Sequence, residues 1–183
     1  MIELKPFRNS TQAITMRITF CDAEPRIAAA IAARFLGVND VEVLTGDLLQ
    51  LKVDAIVSPA NSFGDMSGGI EKAIDDRFNG EAQRRIVARI RAEFLGELPV
   101  GRAVIEQMPD CQFIVVSPTM RTPTDVSHTI NAYLAMRAAF VALQKHNENS
   151  LEPIQTVAIP GLCTGVGRMS PQDSASQMRA AYD

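Results

Sequence analysis

The sequence has no tryptophan, two histidines and three cysteines in 183 residues, and aromatic residues make up only 5% of it. With so few rings, a core has to be assembled from Ile, Val, Leu, Ala and Met. The cysteines, Cys21, Cys111 and Cys163, are odd in number and far apart, and none stands in C-x-x-C spacing. That excludes a disulfide framework or a zinc site as the expectation and favours a reducing, cytoplasmic setting. No apolar run reaches membrane length, and "MIELKPFRNSTQ" lacks the apolar stretch of a signal peptide, so a soluble protein away from membranes is expected. Charge of one sign is not in excess either. The 18 Lys and Arg against 21 Asp and Glu leave a formal net charge of −3, which argues against general binding of nucleic acid. A monomer is the expectation.

Strands alternate with helices along the chain. Residues 1–13 read as a peripheral arm. "ITMRITF" (Ile14–Phe20), "VEVL" (Val41–Leu44), "VDAIVS" (Val53–Ser58), "RAVIEQM", "QFIVVSP" and "IQTVAIP" read as strands, with a turn at Pro109-Asp110. Helical patterns fill the gaps: one from about Pro25 to Gly37, one from Gly68, and one over residues 81–96. A long one, residues 125–147, has Asp125 or Ser127 as its expected cap, and a last one starts at Pro171. Arg84, Arg85, Arg89 and Arg91 interleave with Glu81 and Glu93, the pattern of a solvated helix face. The order predicts an α/β fold: three layers around a largely parallel sheet, in a single domain spanning residues 1–183.

Two strand-to-helix junctions have unusual composition. "SPANSFGDMSGG" (residues 58–69) follows a strand of the kind buried on both faces. "PGLCTGVGRMSP" (residues 160–171) follows another. In such sheets, ligands bind beyond the carboxyl ends of the strands. Gly161, Gly165 and Gly167 allow close backbone approach, and the N–H groups of such a loop can converge on an anion beside a helix N-terminus. The loop lacks the G-K-[ST] of a Walker A motif and does not spell G-x-G-x-x-G. Two such loops together point to a diphosphate-sized ligand.

These residues also resemble a known family. "TGDLLQLKVDAIVSPANSFGDMSGGIEKAI" resembles the opening of macro domains, and "VAIPGLCTGVGRMSP" their second signature, in the family's order and across most of the span from Thr45 onward. The resemblance implies a three-layer α/β/α fold with a mixed sheet and ADP-ribose as ligand or product, with no metal and no cofactor. Some members only bind it; others hydrolyse ADP-ribosyl bonds. It further implies that Asp47, followed by Leu48, accepts from the adenine amino group and that Asn61 meets the distal ribose. Gly68, Gly69 and Ile70 would line ribose and phosphates, and Cys163, Thr164, Gly165, Val166 and Gly167 would wrap the diphosphate. Asn61 and Glu71 are the catalytic candidates, Glu71 standing where hydrolytic members often carry an acid. Glu71 equally suits the positive end of a helix, so a binder without turnover and a structural module without ligand both stay open.

The chain departs from the family in three ways. Asp65 and Ser67 replace a more open glycine run. Gly167 stands where a bulky residue often closes over the distal ribose, leaving Arg168 or Met169 as substitutes. The strand and helix with which macro domains usually close stand here at the front instead, as if circularly permuted. That arrangement predicts Ile14–Phe20 inside the sheet, between Val41–Leu44 and Ile154–Ile159, with Phe20, Cys21 and Asp22 at the adenine end of a cleft. An unrelated N-terminal extension would instead leave the strand at an edge. Cys163 reads as a small loop residue rather than a nucleophile, and neither His128 nor His146 has a catalytic partner. Met120, Arg121 and Thr122 are placed to close over the ligand, with Arg121 toward a phosphate. Asp54 reads as structural.

Overall fold

A computed structural model describes residues 16–109 and 112–183. The expected arm at residues 1–13, the first two residues of the first strand, Asp110 and Cys111 lie outside the described residues. Six strands form: β1 (Arg17–Asp22), β2 (Val41–Thr45), β3 (Ala55–Ser58), β4 (Val104–Gln107), β5 (Phe113–Val116) and β6 (Thr156–Ile159). Five helices accompany them: α1 (Pro25–Phe35), α2 (Gly69–Arg77), α3 (Glu81–Phe94), α4 (Asn131–Asn149) and α5 (Pro171–Tyr182). The strands make one mixed sheet in the order β2-β1-β6-β3-β5-β4, parallel throughout except for the antiparallel β4.

Strand β1 is therefore interior. Ile18 pairs with Val41 on one side, and Arg17 with Thr156 on the other. This is the place the permuted order requires, and it is not the edge an appended strand would occupy.

Alternation along the buried strands sends side chains to two separate cores. Phe20, Val57, Val115 and Ile159 meet Ile31 and Phe35 of α1, Met136 and Leu143 of α4, and Met178 of α5. Cys21, Ile56, Ile114 and Ala158 face Ile74 of α2 and Ile86 and Ile90 of α3. The result is helices on both faces of the sheet, three layers in all.

Local chemistry sets the helix ends. Glu24 accepts from the Arg26 N–H with Pro25 in the first turn, and Ser170 accepts from the Asp173 N–H at 3.1 Å ahead of Pro171. Helix α4 departs from expectation. It starts at Asn131 with no side-chain cap, because Asp125 is occupied locally, taking the backbone N–H and the hydroxyl of Ser127. Arg84, Arg85 and Arg89 of α3 pair with Glu81 and Glu93 as expected, and two of them do more. Arg85 and Arg89 reach over edge strand β4 and donate to the carbonyls of Gln107 and Ile105, besides pairing with Glu106. They cap polar groups that a free sheet edge would offer to another chain. Asp54 is structural as expected. Just ahead of β3, it takes the N–H groups of Gln155 and Thr156 and the Thr156 hydroxyl at 2.8 to 2.9 Å, tying β3 to β6.

Candidate functional site

The five parallel strands end on one side of the sheet, and the loops that leave them enclose a cleft of about 600 Å³. The ligand-binding and catalytic candidates of the two glycine-bearing junctions line it, with Cys21, Asp47 and Leu48: Asn61, Gly68, Gly69, Ile70, Glu71 and the Cys163–Gly167 loop. A larger hollow of about 830 Å³ runs along β4 between α3 and α4, away from both glycine loops.

The Cys163–Gly167 loop is rigidly shaped. Cys163 and Arg168 adopt left-handed backbone at φ 64° and 54°. The Cys163 carbonyl accepts from the Met169 N–H at 3.0 Å, and the Gly165 carbonyl accepts from the Arg168 N–H at 3.0 Å. Met169 is buried in the core beneath, so it cannot close over a ligand as the sequence suggested. Arg168 is exposed and stands outside the lining.

The glycines divide by role. A side chain at Gly161 would come within 2.4 Å of Ile27, and one at Gly167 within 2.6 Å of the Cys163 carbonyl oxygen and 2.8 Å of Val126. Both are glycine because protein packs against them, not because a ligand does. At Gly165 nothing lies within 4 Å. Among the described residues, no backbone N–H of Cys163–Gly167 donates to the protein. Across the cleft, Gly68, Gly69 and Ile70 open α2, where N–H groups have no partner within the helix. Gly69 is left-handed at φ 59°.

Side chains of the cleft organise its backbone. Asp22 joins the strand β1 end to the glycine loop. One carboxylate oxygen accepts from the Gly161 N–H at 3.0 Å, the other from the Glu24 N–H at 2.9 Å. Asp47 accepts from the Leu49 N–H at 2.9 Å, opening a short 3₁₀ helix over Leu48–Gln50. Asn61 takes the N–H groups of Phe63 and Asp65 on its carbonyl oxygen and donates one amide hydrogen to the Asp65 carbonyl at 3.3 Å. Its second amide hydrogen is unused. Asp65 accepts from the Ser67 N–H at 3.0 Å.

The carboxylate of Glu71 folds back over Gly69, 3.2 Å from where a Gly69 side chain would start. Burial raises its pKa above the usual carboxylate range. A bond to its own backbone N–H opposes this, and the charge of Asp65 adds to the rise. Burial also pushes the Cys163 thiol up to about 12, with a hydrogen bond to Thr119 offsetting little, so it is an inert thiol at neutral pH.

Other expectations fail as well. Phe20 is not at the cleft. It points to the opposite face of the sheet and packs on Phe35 at 4.5 Å, leaving Cys21 and Asp22 at the rim. Arg121 lies outside the cleft lining. It lies over the Phe63 ring at 5.1 Å and makes two 2.9 Å bonds to Glu97. Met120 does line the cleft, whereas Thr122 does not. Pro59, Ala60, Thr119, Pro123 and Pro160 also line it, and only their position just after a strand marked them.

Comparison with known proteins decides the family. The Macro domain family model matches residues 57–178. The chain belongs to the macro domain family. An uncharacterized protein of Aquifex aeolicus is 33% identical over 141 residues, 76% of this chain and 78% of that protein. A macro domain-containing protein of Streptomyces coelicolor is 30% identical, over 74% of this chain and 78% of its own. The macro domain of Mycobacterium tuberculosis DarG has the same fold at TM-score 0.60 and 22% identity, over 75% of this chain and 86% of that one. A mutant Oceanobacillus iheyensis macro domain, solved with ADPR, matches at 0.58 and 20%, over 75% and 73%. Among the described residues, no helix is long and apolar enough to cross a membrane.

Proposed function

We propose that this macro domain binds ADP-ribose, or an ADP-ribosyl group, in the cleft at the carboxyl ends of the strands. One observation carries the reading: two runs of backbone N–H groups, at Gly68–Ile70 and Cys163–Gly167, line the same cleft with no partner in the protein. Such groups suit a diphosphate, which takes hydrogen bonds from a glycine loop and a helix N-terminus without needing a lysine. The relative solved with ADPR supports the choice of ligand. Asp47 would take the adenine amino group, and the unused amide hydrogen of Asn61 would reach the distal ribose.

The half-buried carboxyl of Glu71, which lines the cleft together with Asn61, favours a second step, hydrolysis. A water placed by Asn61 and Glu71 attacks the anomeric carbon. Glu71 takes its proton as the bond to the carried group breaks, and the departing group is protonated from solvent. Calorimetric titration with ADP-ribose tests binding. Micromolar affinity, about −8 kcal/mol, should fall at least tenfold in Asn61→Ala and Asp47→Ala. Absence of heat in the wild type would refute the reading. Release of ADP-ribose from a modified protein, lost in Glu71→Gln while ADP-ribose still binds, separates a hydrolase from a binder.

A further inference from the structure

The charge lining the cleft is of one sign. Asp22, Asp47, Asp65 and Glu71 line it, and among the described residues no Lys or Arg does. Asp22 and Asp47 hold backbone N–H groups at one end. Asp65 and Glu71 stand at the other end with Asn61, where the reading above puts the distal ribose and the group attached to it. Among the described residues, Lys72 pairs with Asp76 at 2.6 Å, Arg121 with Glu97 at 2.9 Å, and Arg26 with Glu24 at 3.1 Å, while Arg168 is exposed beside the glycine loop and outside the lining. The two acids are close enough to interact: burial raises the pKa of Glu71, and the charge of Asp65 adds to the rise.

We infer that the ADP-ribosyl group accepted here is one carried on a protein arginine side chain. The inference rests on the ADP-ribose reading above. The diphosphate is met by N–H groups, so the carboxylates have no role in holding it, and their charge falls on whatever the distal ribose carries. A guanidinium is planar, cationic and rich in donors, and it matches paired carboxylates. A nucleic acid strand would bring further phosphates toward two acids, and like charges brought together count against association. An acidic side chain linked as an ester is neutral and gains nothing from them.

Four probes test this with the full chain: free ADP-ribose, a peptide ADP-ribosylated on arginine, the same peptide unmodified, and a single-stranded oligonucleotide carrying ADP-ribose on a base. Affinity is read as Kd where the linkage survives and as KM where it is cleaved. Two partly exposed carboxylates predict that the arginine-linked peptide binds on the order of fivefold tighter than free ADP-ribose. The oligonucleotide should bind more weakly than either. Raising salt, or Asp65→Asn, should bring the ratio of arginine-linked to free affinity toward one. The inference is overturned if free ADP-ribose binds as well as the arginine-linked peptide, if the oligonucleotide binds best, or if the unmodified peptide binds comparably. Failure of free ADP-ribose itself to bind overturns the underlying reading instead, so the two failures are distinguishable.

Discussion

Gly167 tests whether the glycine loop is shaped by the protein or by its ligand. Its φ is not in the left-handed region, so an alanine there is free of backbone strain and the effect is purely steric. The new methyl would sit 2.6 Å from the Cys163 carbonyl oxygen and 2.8 Å from Val126, where ordinary contact begins near 3.4 Å, a shortfall of about 0.8 Å at the nearer atom. That atom is backbone, and it accepts the 3.0 Å bond from Met169 that closes the loop, so it cannot yield without opening the turn. Overpacking of this kind costs about 1–3 kcal/mol. For a chain of this size that lowers Tm by roughly 3–10 °C. ADP-ribose affinity should fall about tenfold as the Cys163–Gly167 N–H groups lose alignment, the equivalent of one charge-assisted hydrogen bond. Gly165→Ala is the control for stability. Its methyl meets nothing within 4 Å, and its stability should stay within about 0.5 kcal/mol of wild type. Thermal melts and calorimetry on both variants decide the matter. A Gly167→Ala protein that melts with wild type and binds ADP-ribose normally would refute the reasoning.

Glu71 should make stability depend on pH. Its folded pKa is raised, so the folded chain holds a proton more tightly than the unfolded chain does. That contribution is complete below the unfolded carboxylate value and lost as pH rises through the raised one. Melts across that window should show wild type losing stability relative to Glu71→Gln; parallel curves would contradict the assigned burial. Asp54→Ala removes the acceptor of three bonds between β3 and β6 and should cost about 2 kcal/mol in urea unfolding, with ADP-ribose affinity unchanged because the site lies at the far end of the strands. With its thiol at about 12, Cys163 should resist iodoacetamide at pH 8 in the native chain and react after unfolding, as read by peptide mass mapping. Replacing Arg85 and Arg89 together with alanine uncovers the Gln107 and Ile105 carbonyls on edge strand β4, and light scattering should record self-association.

What the sequence revealed, and what it hid, follows from the range of the forces involved. Local signals carried far. Alternation marked β1 and continuous apolar runs marked the doubly buried strands, and the Gly-Gly entry to α2 and the glycine loop after β6 marked both walls of the cleft. The interior position of β1 followed from its resemblance to a closing strand-helix unit placed first in the chain. What failed depended on contacts between distant residues. Composition alone could not tell which face of β1 Phe20 would take, because its partner Phe35 lies on a helix that packs on one side only. Asp125 has the chemistry of a helix cap, yet it spends that chemistry on Ser127 two residues away, and α4 begins later. Arg121 stands in a cleft-side loop, but Glu97 and Phe63, both remote in sequence, claim it first. Gly161 and Gly167 looked like openings for a ligand until Ile27 and Val126 were found filling the space.

On the proposed reading, the same geometry lets a chain of net charge −3, with four carboxylates around its cleft, take an anion. Asp22 accepts from the Gly161 N–H ahead of one glycine run, and Asp65 and Asn61 accept from the N–H groups of Ser67, Phe63 and Asp65 ahead of the other, which fixes the path of the loops that carry the unused N–H groups. Negative side chains thus hold the frame, and positive backbone dipoles face the cleft. Because those dipoles act at hydrogen-bond range, neither long-range attraction nor a lysine is needed, and recognition depends on loop shape more than on total charge. This is why Asp22, supplied by the first strand of the chain, matters to the glycine loop 139 residues later. It aligns the start of that loop, and a shift there would misdirect every N–H group that follows.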